Sequence, residues 1–361
     1  MKGRKEVKAR NSIVLFCMCL LIFSLGCEKE KSQESSGEET ADEETFKVSE
    51  AVIEPLPLLE EDFLFESSHG WLNDDTIIFS ANKDNEYYLY SYNVSTEKKE
   101  VIYQTNKIIA EASISPNGHF ILLYTFEDDD QAFIHILTAE GEEQYTMSVP
   151  SREIAYSWNP RTETKLVLNL FLEDWTYRTF ILDFEKEAME EMEEMELSQP
   201  FAKWYTEDEF IYIQLDEEGP ETAGTLITES VQGHSISAML ENVITFNSGE
   251  NVLVAAQIVD EHLLEYVFMI DGNEKNRYAV EWSMADMMGM NPEYALNEER
   301  HFFYTFILDG QVNQLVMYNY ETDEQQLIME DLEMAPIAVS PNGKRILYGY
   351  SLENLIEVSV E

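Results

Sequence analysis

From residue 76 onward the chain repeats a short strand-like run at a nearly constant interval. TIIFSA from Thr76, FILLYTF from Phe120, KLVLNLF from Lys165, FIYIQL from Phe210, NVLVAAQI from Asn251, HFFYTFIL from His301 and RILYGY from Arg345 are dominated by Val, Ile, Tyr, Phe and Thr. These residue types suit a pleated, half-buried surface. The markers Ile77, Ile121, Leu166, Ile211, Val252, Phe302 and Ile346 are spaced 44, 45, 45, 41, 50 and 44 residues apart. Such a period, with several strands per unit, is the pattern of an all-β propeller.

Each unit parses into four strands. In the second, EASIS is the inner strand, PNG turns the chain, and HFILLYTF, QAFIHILTAE and EQYTMSV follow. Pro-Asn-Gly suits a tight turn, because Pro presets the first position while Asn and Gly tolerate positive φ. The last unit has three strands, PIAVS, RILYGY and NLIEVSV, and lacks a fourth. The segment LPLLEEDFLFES, residues 56–67, is the expected donor of that missing outer strand, closing the ring with both termini and leaving no exposed edge. The count is then seven blades, with six or eight as alternatives.

SISPNGHFILLY and AVSPNGKRILYGY resemble the S-P-D-G-K-x-I-A-F repeat of TolB-like propellers, which are similar in shape to WD40 blades. WNPRTETKLVL, YTEDEFIYI, FNSGENVLVA and LNEERHFFYTF keep the position and lose the turn motif. With the N-terminal features below, the whole resembles uncharacterised propeller lipoproteins of Gram-positive bacteria. That resemblance implies a fold and leaves the activity open.

The first eleven residues carry five basic groups and one acid, and SIVLFCMCLLIFSLG follows. This is the layout of a signal peptide, and the apolar run is shorter than the roughly 20 residues of a spanning helix. Ser24-Leu25-Gly26-Cys27 resembles a lipobox, with Ser and Leu in the reverse of the usual order. By that resemblance Cys27 is the lipidated N-terminus after cleavage; an uncleaved anchor is the alternative. The other cysteines, Cys17 and Cys19, lie inside the apolar run, so Cys27 has no disulfide partner downstream. EKEKSQESSGEETADEETFKVSE, residues 28–50, has one aromatic residue and no apolar periodicity, and reads as a solvated tether. The expected organisation is a signal peptide at 1–26, a tether at 27–51 and a propeller at 52–361. The expected location is the extracytoplasmic face of the cell membrane.

The chain has 71 acidic and 23 basic residues, a net charge of −48. That balance excludes nucleic acid as a partner, because it repels phosphate and leaves few cations to displace counterions. No G-x-S-x-G, H-E-x-x-H, P-loop or C-x-x-C is present. His234 and Ser235 are adjacent, and adjacent residues of a strand face opposite ways. His135, inside FIHIL, reads as a packed strand residue.

The acids follow the architecture. Loops joining second to third strands share one rim, and in order they carry Asp84 and Glu86; Glu127, Asp128, Asp129 and Asp130; Glu173 and Asp174; Asp216, Glu217, Glu218 and Glu221; Asp260 and Glu261; then Asp309 and Glu353. Only Lys83 opposes them. Like charges so placed call for water, Ca²⁺ or a basic partner. Plain solvation is the competing reading, since EDDD lacks the spaced pattern of a Ca²⁺ loop. Met284, Met287, Met288 and Met290 pair a copper reading with a gap-filling one. Met189, Met192 and Met195 suggest a local helical insertion. The functional expectation is a monomeric binding or scaffold module that engages an envelope protein through the acidic loop face. The alternative is a cation-dependent hydrolase or lyase using carboxylates in the central funnel.

Overall fold

The computed structural model describes residues 46–57, 63–128, 131–174, 176–192, 201–215, 223–232, 235–281, 292–310 and 312–360. They belong to one compact unit, Thr45–Glu361, and their regular structure is entirely β.

The strands run in quartets, each ordered in space as in sequence. β1 (Val48–Pro55) stands apart and is taken up last. The first quartet is β2 (Leu64–Trp71), β3 (Thr76–Lys83), β4 (Glu86–Asn93) and β5 (Lys98–Thr105). The second is β6 (Ile108–Ile114), β7 (Phe120–Asp128), β8 (Gln131–Thr138) and β9 (Glu143–Pro150). The third is β10 (Glu153–Trp158), β11 (Lys165–Phe171), β12 (Tyr177–Asp183) and β13 (Ala188–Glu191). Next come β14 (Lys203–Trp204), β15 (Glu209–Leu215), β16 (Gly224–Ser230) and β17 (Ile236–Ser248). Then follow β18 (Val252–Asp260), β19 (Leu263–Ile270) and β20 (Asn273–Glu281), and after them β21 (Tyr294–Asn297), β22 (Phe302–Asp309), β23 (Val312–Asn319) and β24 (Glu324–Glu330). The last are β25 (Ile337–Val339), β26 (Arg345–Tyr348) and β27 (Asn354–Val360).

Two expectations are corrected here. First, the described strands form six hydrogen-bonded sheets rather than seven separate ones, because β14 to β20 make a single seven-stranded sheet. The thirteen-residue β17 is the reason: its first part pairs with β16 and its last part with β18, and Val243 is in register with both neighbours. Asn242, with φ 58, bends the strand at the changeover. Second, the outer strand that completes β25–β27 is β1, Val48–Pro55, and not residues 56–67. β1 therefore starts four residues before the expected propeller boundary at 52. Residues 64–71 form the inner strand β2 instead. Their apolar positions Phe65 and Trp71 pack beside Phe79 and Tyr90 and leave the sheet edge to β1. Residues 1–45, with Cys27 and nearly all of the expected tether, lie outside the described residues.

Period-2 alternation explains why the central strands read as almost continuous apolar runs: both faces are buried, each against a different neighbour. In β11, Leu166, Leu168 and Leu170 pack on the second quartet, while Val167 packs on Trp204, Phe210 and Tyr212 of the next. In β3, Ile77, Phe79 and Ala81 meet Leu347 of β26, and Ile78 meets Ile121 and Leu123 of β7. The first and last quartets therefore share a core, which closes the ring.

The two SPNG segments adopt the expected turn. Gly118 and Gly343 have φ of 75° and 72°, their N–H groups donate to Ser115 and Ser340, and those serine hydroxyls accept the N–H of Phe120 and Arg345. Neighbouring quartets are also clamped at this end. Glu163, on the turn between β10 and β11, accepts the Ser115 hydroxyl at 2.8 Å, the Asn117 N–H at 2.7 Å and His119 Nδ1 at 2.7 Å. Glu298 accepts the N–H groups of Glu250 and Asn251, and Asp74 accepts that of Asn342. Gly249 lies directly against Glu298, so a Cβ there would displace the carboxylate from this clamp. Met189 pairs with Leu182 in β13, so the expected helical insertion gives way to an outer strand there. Met195 lies outside the described residues.

Candidate functional site: the hairpin-tipped face

In an antiparallel quartet the hairpin between second and third strands emerges at the end where the first strand begins. The described strands that flank such hairpins therefore all bring them to one end of the ring, and the clamped turns lie at the other. The acids expected there have distinct local duties. Asp84 and Asn85 form the β3–β4 turn with φ of 53° and 64°, a left-handed pair that Asp and Asn tolerate. Glu86 accepts the hydroxyl of Tyr88 and the amide of Gln104, each at 2.7 Å. That carboxylate pushes the Tyr88 hydroxyl up to about 12. Glu127 lies 3.3 Å from Lys107, and Glu173 lies 3.9 Å from Arg152. Asp174 accepts both the hydroxyl and the N–H of Thr176, which hold its carboxyl below the usual range. Asp260 accepts the N–H of His262, Glu353 that of Ser351, and Glu261 is exposed without a turn contact. Asp128 ends β7; Asp129, Asp130, Asp216, Glu217, Glu218 and Glu221 lie outside the described residues. Among the described residues no three His, Cys, Asp or Glu side chains come together as a metal set.

The sequence reasoning missed what accompanies these acids. Thirteen large apolar side chains are exposed among the described residues, and eight lie at this same end: Leu64, Ile108, Phe201, Leu215, Val259, Leu308, Val312 and Tyr350. Leu64 and Tyr350 are the most open, at 68% and 64%. The signal was present as three dipeptides at hairpin starts, Leu215-Asp216, Val259-Asp260 and Leu308-Asp309. Apolar side chains beside acids on one face describe a surface that offers both desolvation and charge.

The inner strands carry the carboxylates that a funnel site would need, and two of them are engaged. Glu66 accepts the Asn82 amide at 2.8 Å, and Glu111 accepts the Tyr156 hydroxyl at 2.7 Å. His69 bonds to the Ser80 hydroxyl at 3.0 Å, and burial holds its pKa at about 4. Lys203 sits over the Phe246 ring at 5.4 Å, and burial lowers its pKa. His135 is a packed strand residue, 6% exposed, between Thr146, Glu143 and the Tyr103 ring. His234 and the methionines at 284–290 lie outside the described residues.

Comparison with known proteins fixes the lineage. An uncharacterised lipoprotein of Bacillus subtilis, YqgU, is 26% identical over 349 residues, which is 96% of this chain and 94% of that protein. The 1.18 Å crystal structure of an uncharacterised protein of Listeria monocytogenes, lmo1340, superposes with a TM-score of 0.72 at 20% identity, covering 83% of this chain and 93% of that one. The C-terminal WD40 domain of Sif2 superposes with a TM-score of 0.53 at 12% identity, covering 88% and 99%, a likeness of fold alone. The resemblance to WD40-like propellers therefore stands as one of fold, although the family is described by six blades, the number of sheets, and not by the expected seven. Residues 93–349 match the model of the YqgU-like six-bladed β-propeller domain, and the chain belongs to that family.

Proposed function

We propose that this protein is a lipid-anchored envelope lipoprotein whose propeller binds a basic, partly apolar protein partner across the hairpin-tipped face. The observation that carries the reading is the coincidence of exposed apolar side chains and acids at one end of the ring. The anchor is supported by Cys27 after a short apolar run and by the lipoprotein relative. The same two facts support a cell-membrane location on the extracytoplasmic face.

Site-specific photo-crosslinking in living cells tests the docking face. A crosslinker at Tyr350 should give one discrete adduct that weakens when Asp84, Glu127, Asp260 and Glu261 become amides, whereas one at Ile236, on the outer edge near the other end, should give none. Equal adducts from both positions, or none from Tyr350, would sink the reading. For the anchor, Cys27→Ser should move the protein from the membrane to the soluble fraction. For Ca²⁺, melting in Ca²⁺ is compared with melting at matched ionic strength. A Ca²⁺-specific rise marks a bound cation by mass action, and an equal rise marks screening.

A further inference from the structure

At the clamped end, the turns of the third, fourth and fifth quartets surround a cleft of about 470 Å³, within the size range of small-molecule sites. It opens where β17 fuses two quartets. Arg161 reaches it from one side; Tyr205, Thr206 and Glu209 line it from the fourth quartet, and Ser248 and Asp271 from the fifth.

The charges of this cleft do not neutralise one another. Arg178, Arg277 and Arg345 each hold a carboxylate. Arg161 is exposed and its guanidinium makes no ion pair or hydrogen bond with any described residue, while its own N–H is pinned to Asn159 at 3.0 Å. Glu209 accepts only the Thr206 hydroxyl, at 3.3 Å, and no described cation lies within ion-pair distance of Glu209 or Asp271. Burial, together with the charges of Glu209 and Asp271, raises the pKa of the Tyr205 hydroxyl, which lies against Gly272. Gly272 has a φ of 72°, in the left-handed region that favours glycine. One lining side chain thus offers a bidentate cation, and three others, Glu209, Glu250 and Asp271, offer carboxylates with no described cation in ion-pair contact.

We propose that this cleft binds a short peptide with free termini, its carboxylate on Arg161 and its ammonium near Glu209 and Asp271. A planar guanidinium without a partner is matched by a carboxylate through two parallel hydrogen bonds. Unpaired acids favour a cationic amine, and the hydroxyls of Thr206 and Ser248 suit the amides between the two ends.

Titration calorimetry of the full chain in detergent, with tri-alanine as probe, tests this. Tri-alanine should bind, and its C-terminal amide should bind at least ~10-fold more weakly. Arg161→Ala should bind both forms equally weakly, and Asp271→Asn should lose the preference for a free over an acetylated N-terminus. No heat at about 10 mM peptide, a limit far weaker than ordinary recognition, would overturn the proposal. So would equal affinity for free and amidated peptide, a comparison that needs no variant, or unchanged binding by Arg161→Ala.

Discussion

Carboxylates crowd both ends of this ring and do opposite things there. At the clamped end Glu163, Glu298 and Asp74 reach back to the preceding quartet, which for Asp74 is the last one, and accept its backbone N–H groups. At the hairpin end the acids cap their own turns or stand in solvent beside exposed apolar side chains. The difference teaches that acidity alone does not mark a site. The clamp carboxylates use charge to fix neighbouring units, and the hairpin-end acids leave charge and apolar surface available to something else.

Substitutions sharpen the contrast. The largest effect is expected in the core that the clamps reinforce: Trp204→Ala, at a side chain 2% exposed between the third and fourth quartets, should cost about 3–5 kcal/mol in chemical denaturation. A loss below about 1 kcal/mol would mean that the ring repacks freely there. Removing a clamp comes next. Glu163→Ala strands a buried serine hydroxyl and a backbone N–H, and should cost about 1–3 kcal/mol. The hairpin end should barely respond, with Asp84→Asn or Glu261→Gln staying within about 0.5 kcal/mol while partner adducts weaken. Comparable losses at both ends would erase the distinction.

Acid gives a finer test, because the two glutamate clamps shift in opposite directions. Burial raises Glu163, but its bonds to His119, Ser115 and Asn117 outweigh that and hold it below the ordinary value. Its contribution is present above the unfolded pKa, near 4.5, and is lost as pH falls through the lower folded value. Burial raises Glu298 above the ordinary range despite its backbone donors, and the adjacent Glu250 adds to the rise. Protonating it therefore favours the folded state as pH falls from its folded pKa toward 4.5. His69 adds a third slope: lowered from 6.5 to about 4, it stabilises fully above 6.5 and loses that contribution between 6.5 and 4. Melting against pH should show the His69 slope vanish in His69→Gln and the lowest limb flatten in Glu163→Gln.

Much of the fold was legible because the period and the alternation both come from strands buried on two faces. The second quartet follows its sequence parsing almost strand for strand. The missed closing strand shows the limit. Val48–Pro55 has only two half-buried positions and the rest exposed, so its pattern looks like tether; its place comes from backbone pairing with β27, which leaves no apolar mark. The fusion through β17 was hidden for the same reason, since a strand that changes neighbours midway keeps an ordinary composition. At the candidate site the acids were readable one by one, but the exposure of Leu64 or Tyr350 depends on which neighbours fail to cover it. The cleft joins residues from three repeats, and no linear spacing reveals that.

The pairing of β1 with β27 also sets an order of events. Ser49 and Ser359 touch across 310 positions of chain, so this contact has the greatest loop to close and the least local help. Interior quartets can form as each is synthesised, but the ring cannot lock before residue 354 is available, however early Val48 was made. Until then β1 and β26 are two unpaired edges, and the core shared by the first and last quartets stays open. Deleting Asn354–Val360 would leave those edges open for good, in a chain whose other strands remain intact.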